Sequence, residues 1–287
     1  DGKFLSGAGC PFLPKTFWGK KWAWTKIFRM IRRSLIHDFH RFCGEILRIQ
    51  RLLPPAEFAG WLRCLAAVWP SVLARRSLNP VDDAFPKSFR VRFGSSSLRF
   101  DQASFSLVRE IFGSFCYASP QELRGEKKIL DLGANAGIFS VFALASAPEA
   151  EVYAVEAQPA LVTALRENIS RNGFAARFQA TAAVVAGGWD SWTRHLLESH
   201  PGLPVFDPEE FFQKQGDWGF CKCDIEGAEF HLLGSRPSWL THIRRLVLEY
   251  HGDWPEGERL GEILRESGFL VKQSGHGRLG YLRCQRT

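Results

Sequence analysis

No two cysteines of this 287-residue sequence stand in a C-x-x-C arrangement, and the seven that occur are scattered at 10, 43, 64, 116, 221, 223 and 284. That spread argues against a zinc ribbon or a disulfide framework; reduced, mostly buried thiols in a cytoplasmic protein are expected instead. Long apolar runs are missing too. The longest, Trp61 to Ala74, is broken by Arg63 and Pro70 and falls short of a bilayer span. No secretory signal is visible. A Gly-Lys-Ser/Thr phosphate loop is absent, which removes the P-loop nucleotide hydrolases.

Charge is unevenly spread. Residues 1–80 hold fourteen Lys and Arg against four Asp and Glu, whereas the remainder holds 23 against 26. The net +7 therefore belongs to the N-terminal segment. From Thr16 to about Leu53, Ile27, Ile31, Leu35, Phe39, Phe42, Ile46, Ile49 and Leu53 recur at helical spacing, opposite Lys26, Arg29, Arg33, Arg41, Arg48 and Arg51. Pro54-Pro55 ends this element, and a second helix follows from Ala56 to about Arg76. Residues 1–85 read as a basic helical appendage on a main domain of residues 86–287. Its plainer role is a cap on the core with a solvated basic face. Its sharper role is peripheral membrane contact through residues 16–80, or a hold on an acidic acceptor.

The main domain turns on Lys127 to Ser146, KKILDLGANAGIFSVFALAS. An apolar run ends at Asp131, a turn carries Gly133 and Gly137, and Ile138, Val141, Phe142 and Ala145 open a helix. Strand, glycine turn and helix are the first unit of a nucleotide-binding α/β sheet. A dinucleotide fingerprint would place a glycine where Asn135 stands. Asp131 instead suits a cationic ligand such as S-adenosylmethionine. Glu151–Glu156 is a second strand, whose terminal Glu156 can accept from two ribose hydroxyls, with Ala157 and Pro159 beside an adenine. The plainer reading of Glu156 is compensation of a helix N-terminus.

A hairpin is expected at 89–100 and a helix at about 105–115. Further strands are expected at 176–185, 218–225 and 245–250, with a terminal hairpin of 269–272 and 281–284. Residues 187–217 read as a loop that is functional, mobile or hides a short helix. The second chemical cluster is CKCDIEGAEFHLL, Cys221 to Leu233. Asp224 ends a strand, and Glu226 and Glu229 open the next helix as i, i+3 neighbours. Glu249 and His251 end the following strand, where a histidine is the usual proton acceptor near neutral pH.

The strings DLGANAG, EAQPALVTALRENISRNG, CDIEGAEFHLL and LVLEYH resemble the FkbM-family S-adenosylmethionine-dependent methyltransferases, from about Phe89 to Val271. The resemblance implies a Rossmann-like class I methyltransferase sheet, α/β and mostly parallel with a C-terminal antiparallel hairpin. It also implies O-methylation of a hydroxyl on a sugar, a lipid-linked glycan or a natural product. Asp131, Gly133, Ala134, Asn135, Gly137, Glu156, Ala157, Ala182 and Asp224 fall on the cofactor side. His251, Asp224, Glu226 and Glu249 fall on the catalytic side, with His251 expected as the base and Asp224 second. A divalent cation held by Asp224 and Glu249 is the competing mechanism; no metal ligand set is otherwise indicated.

Two other classes remain to be weighed. Nucleic-acid methylation, RNA methylation above all, is the runner-up, motivated by the basic N-terminal segment, but two of its usual residue sets are missing. No Asp/Asn-Pro-Pro-aromatic follows the fourth strand, and no lysine lies between Asp224 and Glu249 for a Lys-Asp-Lys-Glu set. A non-catalytic adenosyl-binding module would need no acids at strands four and five.

Overall fold

The computed structural model describes residues 40–185, 194, 197–198, 201–234 and 237–286. The expected basic helix before residue 40 and the Trp189–Trp192 stretch lie outside the described residues. The chain divides into two units, Asp1–Leu47 and Arg48–Thr287. Of the first, residues 40–47 are described, and they belong to helix α1 (40–52).

In the second unit Pro55 starts helix α2 (Pro55–Arg75), where a missing N–H costs nothing, and Arg76 ends it in the left-handed conformation. Helix α3 (Asn79–Ala84) follows. The expected hairpin is β1 (Phe89–Phe93) paired antiparallel with β2 (Ser96–Phe100). Its alternation buries Phe89 and Val91 and turns Arg90 and Arg92 outward. Helix α4 (Phe105–Val108) passes into a π-helical turn, Arg109–Gly113, where one longer helix had been expected. α2, α3 and the hairpin are tied together. Arg90 reaches Glu57 at 2.7 Å, Arg109 reaches the buried Asp82 at 2.8 Å, and Phe85 meets Phe105 at 5.1 Å between ring centres. Helix α5 (Pro120–Leu123) starts with a capping box of Ser119 and Glu122.

The sheet begins with β3 (Lys128–Leu132), continues through helix α6 (Ile138–Ser146) to β4 (Glu151–Glu156), then through α7 (Pro159–Arg171) to β5 (Phe178–Ala182). The expected third strand breaks at Ala183. Val184–Val185 becomes β6 and pairs with β7 (Val205–Phe206) outside the main sheet. The former loop region also contains α8 (Pro208–Gln215). Then come β8 (Trp218–Cys223), α9 (Glu229–Leu233), β9 (Ile243–His251), α10 (Trp254–Glu266), β10 (Phe269–His276) and β11 (Leu279–Arg286).

The seven strands lie in the order β10-β11-β9-β8-β3-β4-β5. β9, β8, β3, β4 and β5 are mutually parallel, and β11 runs antiparallel to both of its neighbours. This is the Rossmann-like class I methyltransferase sheet that the resemblance implies. Leu130, Leu132, Cys221, Cys223, Leu246 and Leu248 face one core, sealed by Phe211, Trp239, Leu260 and Leu264. The opposite face carries Phe220 against Phe139 of α6, and Asp131 against Ser140 of the same helix. No helix among the described residues is long and apolar enough to cross a membrane.

Candidate functional site

The ends of β3, β4 and β8 meet at one cleft, at the place where ligands bind in open α/β sheets. The turn after β3 is fixed by the chain itself. The Gly133 and Ala134 amides both donate to the Val155 carbonyl, at 2.9 and 3.0 Å. Gly133 has φ +74°, and a Cβ there would stand 1.7 Å from the Asp224 carbonyl oxygen. Gly137 has φ +82°, and its Cβ would stand 2.2 Å from Leu165 Cδ1. These glycines make room for β8 and α7 respectively, a packing requirement more than a ligand one.

Of the residues expected on the cofactor side, Gly133, Ala134, Asn135, Glu156, Ala157 and Asp224 line the cleft. Asp131, Gly137 and Ala182 are not among its lining residues. Asp131 is fully buried beneath the turn. Ser140 Oγ donates to it at 2.7 Å, and Lys222 Nζ stands 3.3 Å away. The expected contact of Asp131 with a cationic ligand is thus replaced by an internal ion pair. Ala183, which follows the end of β5, faces the cleft in place of Ala182.

Glu156 is held by two backbone donors, the Asn135 amide on Oε2 and the Gln158 amide on Oε1, each at 2.8 Å. A carboxylate offers about four lone-pair sites, so each oxygen keeps acceptor capacity toward the cleft. Leu107, Ile111, Ile138, Phe139 and Leu161 supply apolar lining.

At the other end of the cleft lie Tyr117, Lys222, Asp224 and Glu226. Lys222 is almost wholly buried and donates to the Gly133 carbonyl at 2.6 Å. Burial acts to remove its proton, but Asp131 and then Asp224 outweigh burial and hold the ammonium well above the usual lysine range. The Tyr117 hydroxyl stands 2.8 Å from Asp224 Oδ2 and 2.6 Å from Glu249 Oε2. Burial first, and then the charge of Asp224, pushes Glu249 up to about 7.

The expected helix at Glu226 begins only at Glu229. Glu226 and Gly227 take left-handed φ values of 55° and 100° and form a turn. Glu229 Oε1 accepts from the Ile225 and Gly227 amides at 3.2 and 3.1 Å, so the carboxylate braces that turn from inside. Glu226 stays outside, with its side chain 67% exposed.

His251 and Glu249 are absent from the cleft lining. His251 Nδ1 lies 3.3 Å from Glu229 Oε1, and Nε2 lies 3.5 Å from Glu226 Oε2. The Glu229 hydrogen bond raises His251 to about 9 against the opposing effect of burial. That shift favours the protonated ring, whereas the role of base expected of His251 calls for the neutral one. Asp224 and Glu249, the expected competing cation pair, both meet the Tyr117 hydroxyl that lies between them. Among the described residues, Asp224, Glu229 and His251 are the group that brings three ligand atoms within 4.8 Å of one another.

Two cleft residues escaped the sequence reading. Tyr117 sits in a stretch without periodicity and carries no signal. Lys222 had one: it is a lone cation between two cysteines of an apolar strand, on the face opposite theirs.

A model of the methyltransferase small domain family matches residues 96–189. The 31-O-demethyl-FK506 methyltransferase FkbM of Streptomyces tacrolimicus is 40% identical over 83 residues, which cover 29% of this chain and 32% of that protein. The matched part thus spans about a third of the length of that curated relative. Both matches agree with the resemblance carried by the motifs. Solved structures with a looser likeness include the fibrillarin pre-rRNA processing protein of Methanococcus jannaschii. It is 14% identical with a TM-score of 0.46, covering 69% of this chain and 82% of that one. An O-methyltransferase family protein from Burkholderia thailandensis is 12% identical with a TM-score of 0.42, covering 63% of this chain and 56% of that one.

Proposed function

We propose that this chain is an S-adenosylmethionine-dependent methyltransferase that methylates a hydroxyl oxygen of a small-molecule, glycan or lipid-linked acceptor. The observation that carries the reading is Glu156. It ends β4, is fixed by two backbone amides, and keeps acceptor capacity facing a cleft walled by Ala157, Ala183 and Val184. Those residues fit an adenosyl group: a carboxylate for vicinal ribose hydroxyls, and small apolar side chains for a flat base. Asp224 and Glu226 against the single Lys222 leave the far end of the cleft acidic, which suits a ligand bearing positive charge.

Bound S-adenosylmethionine supplies an electrophilic methyl group. The chain's own task is to hold an acceptor hydroxyl in place and to receive its proton. In this proposal the acceptor enters at the Asp224–Glu226 end. Glu226 takes the proton, because it lines the cleft and is exposed enough to pass the proton on to water. His251 and Glu249 act behind it, His251 by orienting Glu226 and Glu249 through Tyr117.

The acceptor class rests on the FkbM resemblance. Contact with a lipid surface gains support from α2, which exposes Leu62, Trp69 and Leu73 near Arg63, Arg75 and Arg76. Residence in the cytoplasm is part of the same reading, supported by the free thiols Cys43, Cys64, Cys116, Cys221, Cys223 and Cys284. Incubation with methyl-labelled S-adenosylmethionine and a cell extract, split into lipid, glycan, protein, RNA and small-molecule pools, tests it. Label in the lipid, glycan or small-molecule pool is expected. Label confined to RNA or protein, or no label together with no S-adenosylmethionine binding, would overturn the reading.

A further inference from the structure

Three side chains converge beside the mouth of the cleft from three different elements. Asp224 follows β8, Glu229 opens α9, and His251 ends β9; each offers a ligand atom, and all three atoms lie within 4.8 Å of one another. Ligand atoms at about 2.0–2.2 Å from a cation lie roughly 3 to 4.4 Å apart, so little closure is needed to seat one.

A second observation is independent of that proximity. Glu229 is fully buried, and although its Oε1 is satisfied by two amides, its Oε2 is buried with no hydrogen-bond partner. Asp224 repeats the pattern: Oδ2 accepts from Tyr117, and Oδ1 is buried and unpartnered. Buried carboxylate oxygens are strongly disfavoured without a donor or a cation. Lys222 does not meet the need. Its ammonium donates to the Leu132 and Gly133 carbonyls, pairs with Asp131, and stays 3.7 Å from Asp224 Oδ2, the oxygen already served.

We infer that Asp224, Glu229 and His251 bind a divalent first-row transition cation, of the Mn²⁺ or Zn²⁺ kind. One imidazole with two carboxylates fits that class better than Mg²⁺ or Ca²⁺, which favour all-oxygen sets. Three protein ligands leave coordination positions open. Asp224 also lines the cleft and Glu226 stands 3.5 Å from His251, so the site adjoins the end of the cleft where the acceptor hydroxyl is proposed to enter. A hydroxyl bound there would lose its proton to Glu226 more readily, because the cation lowers its pKa. That role rests on the methyltransferase reading; the cation site itself does not.

The test is equilibrium binding to the full chain after chelator treatment. Mn²⁺ would be followed by the electron paramagnetic resonance of the free ion, and Zn²⁺ by calorimetry. One saturable site per chain is expected, weakened at least tenfold in both His251→Gln and Asp224→Asn. The Glu156→Gln variant should bind Mn²⁺ as the parent does while losing affinity for S-adenosylmethionine. Circular dichroism of each variant separates ligand loss from unfolding, and His251→Ala stands in if His251→Gln fails to fold. No saturable Mn²⁺ or Zn²⁺ binding, undiminished binding in both ligand variants, or a preference for Mg²⁺ would overturn the inference. A parent that binds the cation but not S-adenosylmethionine would overturn the proposed reaction and leave the site standing.

Discussion

Lys222 Nζ and Asp131 Oδ1 stand 3.3 Å apart at a register pair of β8 and β3, with both side chains almost wholly out of water. A charge stranded in such a place is far more costly than the pair is favourable. Lys222→Met alone should therefore destabilise the protein by about 3–5 kcal/mol, read from urea unfolding. Adding Asp131→Leu to it should recover much of that loss. A double variant no more stable than the single one would show that Lys222 is held for something other than Asp131.

Glu156→Gln tests the cofactor end. It keeps the shape and removes the charge that two ribose hydroxyls would meet. S-adenosylmethionine affinity should fall by about 1.5–3 kcal/mol, roughly tenfold to a hundredfold, by calorimetric titration. Unchanged affinity would place the ribose elsewhere.

Glu226→Gln tests the chemical step. Turnover should fall by roughly 10² to 10⁴-fold in single-turnover assays, with cofactor affinity nearly intact. A normal rate would remove Glu226 as proton acceptor.

Tyr117 owns one hydroxyl proton, yet faces Asp224 and Glu249 at hydrogen-bond distance. Burial first, and then the charge of Asp224, pushes Glu249 up to about 7 although the Tyr117 hydrogen bond works against the rise, which favours a carboxyl that keeps its proton above the ordinary range. Above the ordinary carboxylate range the unfolded chain has released this proton and the folded chain retains it. Stability in the presence of chelator should thus fall as pH rises from about 4.5 to 7 and then level, by at most about 3 kcal/mol from this group. Glu249→Gln should flatten that decline in pH-dependent denaturation, and an identical pH profile would refute the assignment.

The two turn glycines should differ in tolerance. Gly133→Ala drives a methyl group into the Asp224 carbonyl, which is fixed backbone, whereas Gly137→Ala meets the movable end of Leu165. Both also force a side chain into left-handed backbone, so both destabilise, Gly133→Ala by more than about 3 kcal/mol and Gly137→Ala by less. Thermal unfolding of the pair checks the order.

What the sequence made legible was what neighbouring residues decide. The run from Lys127 to Ser146 reads as strand, turn and helix because apolar spacing and glycine act locally, and Glu156 follows from its place at a strand end. Asp131 was visible as a strand-end acid, but its partner lies about ninety residues away on β8, and no local pattern announces that Lys222 will claim it. The helix expected at Glu226 fails for a similar reason. Left-handed backbone at Glu226 and Gly227 is stabilised by Glu229 folding back on the turn, and that choice moves Glu229 into contact with His251. The terminal hairpin could be seen, but not that its second strand would dock on β9 and leave its first at the edge.

That docking has a consequence for the order of events during synthesis. β11 emerges from the ribosome after the other six strands of its sheet, yet it lies between β9 and β10. Its Arg283 donates to the Phe115, Cys116 and Tyr117 carbonyls, and Tyr281 stacks edge-on against the Tyr117 ring. A nascent chain can build β3, α6 and β4 and fix Glu156 early, while the backbone carbonyls of Phe115, Cys116 and Tyr117 meet Arg283 only after more than 160 further residues have been added. The Glu156 end of the cleft can therefore mature before β11 braces the backbone beside Tyr117 at its other end.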